Sequence, residues 1–106
     1  MKGISYKAWT HPSPRAALLL VHGMGANPSW WEGLGAFFLQ KGYSSCAIDL
    51  RNSDSFRAFK KDINTLYEMI KKINPQEKIF AIGESMGALL ILLMVLKDKV
   101  VFDGII

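Results

Sequence analysis

Gly83-Glu84-Ser85-Met86-Gly87 is the segment of this 106-residue chain whose residue types and spacing most directly suggest chemistry. Serine between two glycines, G-x-S-x-G, is the pattern of a nucleophile carried on a sharp strand-to-helix turn. At average residue usage the bare pattern arises by chance in roughly three or four of a hundred chains this long, so context decides. An apolar run, Lys78 to Ile82, precedes it, and a second, Met86 to Leu96, follows. That context is strand, turn, helix. Gly83 and Gly87 have no side chains, so strand and helix can approach closely around Ser85. The hydroxyl then projects from the carboxyl edge of a sheet, where open α/β sheets bind ligands. The N–H of Met86, at the helix N-terminus, falls where a developing oxyanion can be held. The competing reading makes Ser85 an ordinary helix N-cap. The paired glycines and the preceding strand favour the nucleophile.

His22-Gly23-Met24-Gly25 is the second constellation. It follows another apolar run, Ala16 to Val21, and precedes a helix start at Asn27-Pro28. Gly23 and Gly25 let this loop turn back beneath the site, so that the N–H of Met24 faces an oxygen near Ser85. A plain glycine-rich loop is the alternative, and it weakens once the Ser85 turn lies one strand over.

The elements that must position these loops alternate along the chain. Ile4 to Trp9 reads as a first strand, and Thr10 to Pro14 as a proline-rich turn. The continuous apolar run Ala16 to Val21 suits a central parallel strand covered on both faces. Asn27 as N-cap and Pro28 at the first helical position open a helix, with Trp30, Trp31, Leu34, Phe37 and Phe38 at helical spacing. Lys41-Gly42 ends it. Ser45 to Ile48 is a short strand ending at Asp49. Phe56, Phe59, Ile63, Leu66, Ile70 and Ile73 then step by three or four, one face of a helix stopped by Asn74-Pro75. Lys78 to Ile82 is a strand, Met86 to Leu96 a buried helix, and Val100 to Ile106 an apolar final strand. This order predicts an α/β protein: a three-layer sandwich with a mostly parallel sheet, helices on both faces, and residues 1–106 belonging to a single domain.

Half of the residues are hydrophobic, enough to build a core and too many for a disordered chain. Thirteen basic and nine acidic residues leave a net charge of +4. The cations are scattered among acids. Lys60, Lys61, Lys71 and Lys72 read as the wet face of a helix, so no nucleic-acid partner is expected. The longest apolar stretch, Ala88 to Leu96, falls short of the roughly 20 residues that cross a bilayer. Met1 to Tyr6 shows no leader-like apolar segment. Cys46, the single cysteine, excludes an internal disulfide and reads as a buried structural thiol. Together these suggest a cytoplasmic protein. No metal and no cofactor is expected: there is no Cys/His ligand spacing and no G-x-G-x-x-G after a strand.

Taken together, His22-Gly23-Met24-Gly25, Asp49-Leu50-Arg51 and Gly83-Glu84-Ser85-Met86-Gly87 resemble the α/β-hydrolase superfamily. The similarity is greatest to monoacylglycerol lipase and lysophospholipase-like serine hydrolases, and it spans nearly the whole chain. Gly3 to Trp9 resembles that family's second strand, and Val101 to Ile106 the beginning of its sixth. The resemblance implies carboxylic ester hydrolysis through an acyl-enzyme on Ser85. It assigns the oxyanion hole to the N–H groups of Met24 and Met86, with His22, Gly23, Gly25, Gly83 and Gly87 in support. Asp49 and Arg51 match a mainly structural pattern. The chain departs from the family at Asn52 and Ala88, where many members have glycine.

A larger departure concerns the acid and histidine that the family carries after the nucleophile. No histidine follows Ser85; only His11 and His22 are present. His11 is expected in a surface turn and His22 as a brace of the oxyanion loop. Asp98 and Asp103 are expected at the amino edge of the sheet, away from the hydroxyl. The expectation is therefore an incomplete α/β-hydrolase fold ending in the sixth strand, the N-terminal part of a longer hydrolase and inactive alone. Val100 to Ile106 would form an uncovered edge strand, a template for the missing C-terminal half or for a second copy in a homodimer. The alternative from another class is a non-catalytic binding or assembly module that keeps the fold.

Overall fold

The most apolar strand lies at the centre of the sheet. In the computed structural model, which describes residues 3–106, β2 (Ala17–Val21) is buried along its whole length. Met1 and Lys2, the first residues of the segment read as not leader-like, lie outside the described residues. β1 (Ser5–Trp9) runs antiparallel to β3 (Ser44–Asp49), which lies parallel to β2. β2 in turn pairs in parallel with β4 (Ile79–Gly83), and β4 with β5 (Gly104–Ile105), giving the order β1-β3-β2-β4-β5. Three of the four pairings are parallel, and each parallel step is bridged by a helix, as such connections require.

Alternation along β2 divides the core in two. Ala17, Leu19 and Val21 point to the layer of α2 (Phe56–Ile73) and α3 (Met86–Lys97), against Ile63, Leu66, Ile70, Leu90, Ile91 and Met94. Leu18 and Leu20 point the other way, to α1 (Glu32–Gln40), against Trp31, Leu34 and Phe38. These are the three layers expected from the element order.

Three elements differ from the reading of the sequence. Asn27 does cap at Ser29 N (2.9 Å), but the segment after it is a 3₁₀ turn, Pro28–Trp31, and the α-helix begins at Glu32. Of the five large apolar residues read as one helix, Trp30 in the 3₁₀ turn and Phe37 in α1 are exposed, because a nine-residue helix lays a single stripe on the sheet. α3 is not fully buried. Gly87, Leu90, Ile91 and Met94 face the core, while Leu89, Leu92 and Leu96 form an exposed stripe, Leu96 at 71%. The final strand is shorter than Val100 to Ile106. Val100 and Val101 are instead tied to the helices, Val100 N–H donating to Met94 O and Tyr67 Oη to Val101 O, and Asp103 meets β4 by accepting Ile79 N–H at Oδ2. The bonds at Val100 and Val101 keep that part off the sheet, so the strand is only Gly104–Ile105, flanked by backbone bonds from Asp103 N–H to Ile79 O and from Ile106 N–H to Ala81 O.

Cys46 is half-buried in β3, and burial pushes its thiol up to about 11. It lines a cavity of about 470 Å³ at the amino edge of the sheet with His11, Ser44 and Asn74. With the folded value raised, this thiol contributes stability below the ordinary thiol range and loses it as pH climbs toward 11. At pH 9 roughly one native molecule in a hundred carries the thiolate, against about half of an unfolded ensemble. Disulfide-exchange labelling at that pH is therefore expected to run tens of times slower in the native protein than in urea. Equal rates would contradict the burial.

Candidate active site

β4 leads into α3 through Glu84 and Ser85, and the turn is anchored on both sides. Glu84 N–H donates to Val21 O (3.1 Å), and Gly87 N–H to Glu84 O (3.0 Å). A Cβ at Gly83 would lie 2.6 Å from the Ala88 backbone, and one at Gly87 would overlap the Val21 carbonyl. Strand and helix thus meet at a separation that only glycine permits.

Ser85 occupies the N-cap position of α3 yet behaves unlike a cap. Its φ is 55° and ψ −117°, and its side chain makes no capping hydrogen bond. The chain holds its own control in Ser55, which opens α2 with φ −152° and ψ 159° and accepts from Ala58 N at 3.1 Å. Positive φ on a serine is strained by about 1–3 kcal/mol and persists where surrounding structure imposes it. The strained residue is exposed, so its hydroxyl faces solvent. Ser85→Gly is expected to raise stability over Ser85→Ala by roughly 1 kcal/mol, since glycine adopts this φ freely. A melting comparison should separate the two by about 5 °C. Identical melting points would remove the case for strain.

The loop after β2 comes within contact of this turn: a Cβ on Gly23 would lie 3.2 Å from Ser85 Cβ. His22, only 3% exposed, fixes the loop's orientation. Its Nε2 accepts from Leu50 N–H at 3.0 Å, so Nδ1 carries the proton and donates to Gly23 O at 2.8 Å. Both ring nitrogens are thereby occupied. Because a trans peptide sets N–H opposite C=O, holding the Gly23 carbonyl also fixes the direction of the Met24 N–H. Gly25 turns the loop at φ 83°. Among the described residues, no acceptor takes the N–H of Met24 or of Met86. The Met24 side chain is 78% exposed. Both methionines, with His22, Gly25, Leu50 and Phe59, line a cavity of about 310 Å³. Ser85 stands outside that lining.

Asp49 at the end of β3 accepts from Arg51 Nε (2.9 Å) and Nη2 (2.6 Å), and this guanidinium holds its carboxyl below the usual carboxylate range. The pair closes the turn after β3. His11 lies at the opposite edge of the sheet, its N–H on Ser44 Oγ and its Nδ1 accepting from Ser13 N–H. Asp103 holds the first residue of β4, also at that edge. Asp98 closes the far end of α3, thirteen residues and about 20 Å from Ser85, in an ion pair with Lys60. The structure therefore brings together Ser85, Gly23, Met24 and Met86, and leaves His11, Asp98 and Asp103 apart from them. Among the described residues, no group of three His, Cys, Asp or Glu side chains is arranged to hold a metal. One contact escaped the sequence reading: Glu84 Oε2 accepts the Gly23 N–H at 3.1 Å. The signal available was only its place beside Ser85.

This sheet order with a strand–Ser–helix turn at its carboxyl edge is the α/β-hydrolase architecture, and solved structures superpose on it. A lipase in its open form matches with a TM-score of 0.84 at 16% identity, covering 96% of this chain and 38% of that one. A soluble variant of monoglyceride lipase from Saccharomyces cerevisiae matches at 0.81 and 21% identity, covering 99% and 41%. The monoacylglycerol lipase of Paleococcus ferrophilus matches at 0.79 and 21% identity, covering 98% and 42%. The chain thus spans less than half the length of each. Among curated protein sequences, none matches. Residues 12–106 match the serine aminopeptidase S33 family, and the chain belongs to that family.

Proposed function

We propose that this chain carries the nucleophile half of a serine hydrolase acting on carboxylic esters, with monoacylglycerol or lysophospholipid-like substrates. The observation that carries the reading is Ser85, exposed at φ 55° with no capping bond and approached by Gly23, with the N–H groups of Met24 and Met86 lacking an acceptor among the described residues. In the reaction, Ser85 Oγ attacks the ester carbonyl carbon and its proton passes to a base. The carbonyl oxygen becomes an oxyanion between the two N–H groups. Collapse expels the alcohol, which takes up that proton, and leaves the acyl group on Ser85. Water then releases the acid by the same steps. His22 cannot be the base, since both of its nitrogens are engaged; in this reading the base and its acid come from sequence outside these residues. The lipid-like substrate class is supported by the lipases among the similar structures. A cytoplasmic, reducing compartment suits the lone thiol of Cys46.

The test is fluorophosphonate labelling of the chain joined to a segment that supplies the acid and histidine. Ser85 should be the modified residue, and an unlabelled serine in a correctly assembled protein would defeat the proposal. A second reading has its own observation. Val101, Ile105 and Ile106 are exposed in and around β5, Ile106 at 72%, as are Leu89, Leu92 and Leu96 on α3. A non-catalytic module would dock or dimerise there. A stable homodimer closed by β5, with Ser85 unreactive, would favour it.

A further inference from the structure

We propose that Glu84 is a positioning residue: its carboxylate ties the Gly23 N–H and so sets the Met24-bearing loop against Ser85. Its consequence for catalysis rests on the hydrolase reading above; the tether itself does not. The two ends of the Gly23 residue are held from opposite sides. Its N–H goes to Glu84 Oε2 and its C=O to His22 Nδ1, while His22 Nε2 takes Leu50 N–H. The result is a continuous run of hydrogen bonds from the turn after β4, through the loop after β2, to the end of β3.

Two consequences follow from the geometry. The Gly23 N–H is consumed, so the first free donor of the loop is Met24. The spacing is also tight, because a Cβ on Gly23 would sit 2.6 Å from Glu84 Oε2, displacing that carboxylate from the N–H, and 3.0 Å from Glu84 O. Glu84 and Ser85 are adjacent in sequence, so whatever holds the loop to Glu84 holds it to the nucleophile. A bond to a charged acceptor is stronger than one to a neutral group. Two of the other charged groups at this end of the sheet, Asp49 and Arg51, are engaged with one another, and His22 is engaged as above. Glutamine can keep the acceptor while removing the charge; alanine removes both.

The experiment is amide hydrogen exchange and a pH titration followed by NMR on the full chain. In Glu84→Ala, Gly23 should exchange about tenfold faster, with Leu50 unchanged because His22 still holds it. In the wild type the Gly23 amide signal should follow a carboxyl titration, and in Glu84→Gln it should not, while its protection is largely kept. Unchanged exchange at Gly23 in a folded Glu84→Ala protein would overturn the tether. If that variant fails to fold, a Gly23 signal in the wild type that ignores the titration does the same. In the assembled hydrolase, fluorophosphonate labelling should slow about tenfold in Glu84→Ala and recover in Glu84→Gln. Absence of wild-type labelling would count against the hydrolase reading and leave the amide readouts to decide the tether.

Discussion

Gly87→Ala should be the most damaging single methyl group that can be added to this chain. The new Cβ would overlap the Val21 carbonyl oxygen and lie 2.8 Å from Val21 C and 2.9 Å from His22 O. All three are backbone atoms, at the end of the central strand and the start of the loop beside Ser85. None can rotate away as a side-chain tip would. Relief requires α3 to move off the sheet, which opens the core around Leu90, Ile91 and Met94, or β2 to shift within a sheet paired on both sides. Overpacking of this kind costs about 3 kcal/mol or more. That is a large share of the roughly 5–15 kcal/mol that holds a small domain together. A urea titration followed by circular dichroism should show the midpoint collapse or no folded baseline at all. Gly33→Ala is the matched control. Gly33 lies in α1, and nothing stands within 4 Å of an added Cβ. Alanine there should stabilise by roughly 0.5–1 kcal/mol. If the two variants unfold at the same midpoint, close approach is not why glycine stands at position 87.

The contrast between these glycines shows what the sequence could carry. The paired glycines around Ser85 marked a close strand–helix approach because a local motif requires it, and the apolar pattern of α2 marked its buried face at Ile63, Leu66 and Ile70 because helical period is local, while Phe56 and Ile73 at its two ends are exposed. β2 was readable as central because five successive buried residues leave no face for solvent. The differences arise where a partner, rather than a period, decides. α3 is apolar on every side, so its pattern could not say that Leu89, Leu92 and Leu96 would be left uncovered. Val100–Phe102 has strand composition, but the Met94 carbonyl and the Tyr67 hydroxyl capture it first. At the site, sequence supplied positions: Ser85 after a strand, Met24 after another. It could not supply pairings. That His22 spends both nitrogens on Leu50 and Gly23, and that Glu84 takes the Gly23 N–H, are contacts between segments 28 and 61 residues apart.

Those pairings govern the second large effect, the dependence of the proposed Ser85 chemistry on a histidine supplied from outside these residues. A serine hydroxyl must give up its proton during attack, and this chain holds two histidines. His22 donates to Gly23 and accepts from Leu50, so it could take a proton only by breaking the bond to Leu50 within a buried site. His11 sits at the opposite edge of the sheet. What remains for the chain alone is two unpaired N–H groups and a cavity, the components that leave about 10³–10⁴-fold acceleration over water when triad residues are removed from a serine hydrolase. Loss of the serine or histidine of such a triad costs on the order of 10⁶ in kcat. Hydrolysis of p-nitrophenyl acetate by residues 1–106 should thus not exceed that residual level and should be nearly indifferent to Ser85→Ala. Joining a segment that brings an acid and a histidine to the carboxyl edge should raise the rate by about 10⁴-fold or more, and Ser85→Ala should then remove that gain. Rapid turnover by residues 1–106 alone, abolished by Ser85→Ala, would mean that a base already exists within the chain. His22 would be the group to suspect, and its bond to Leu50 would have to open in each cycle.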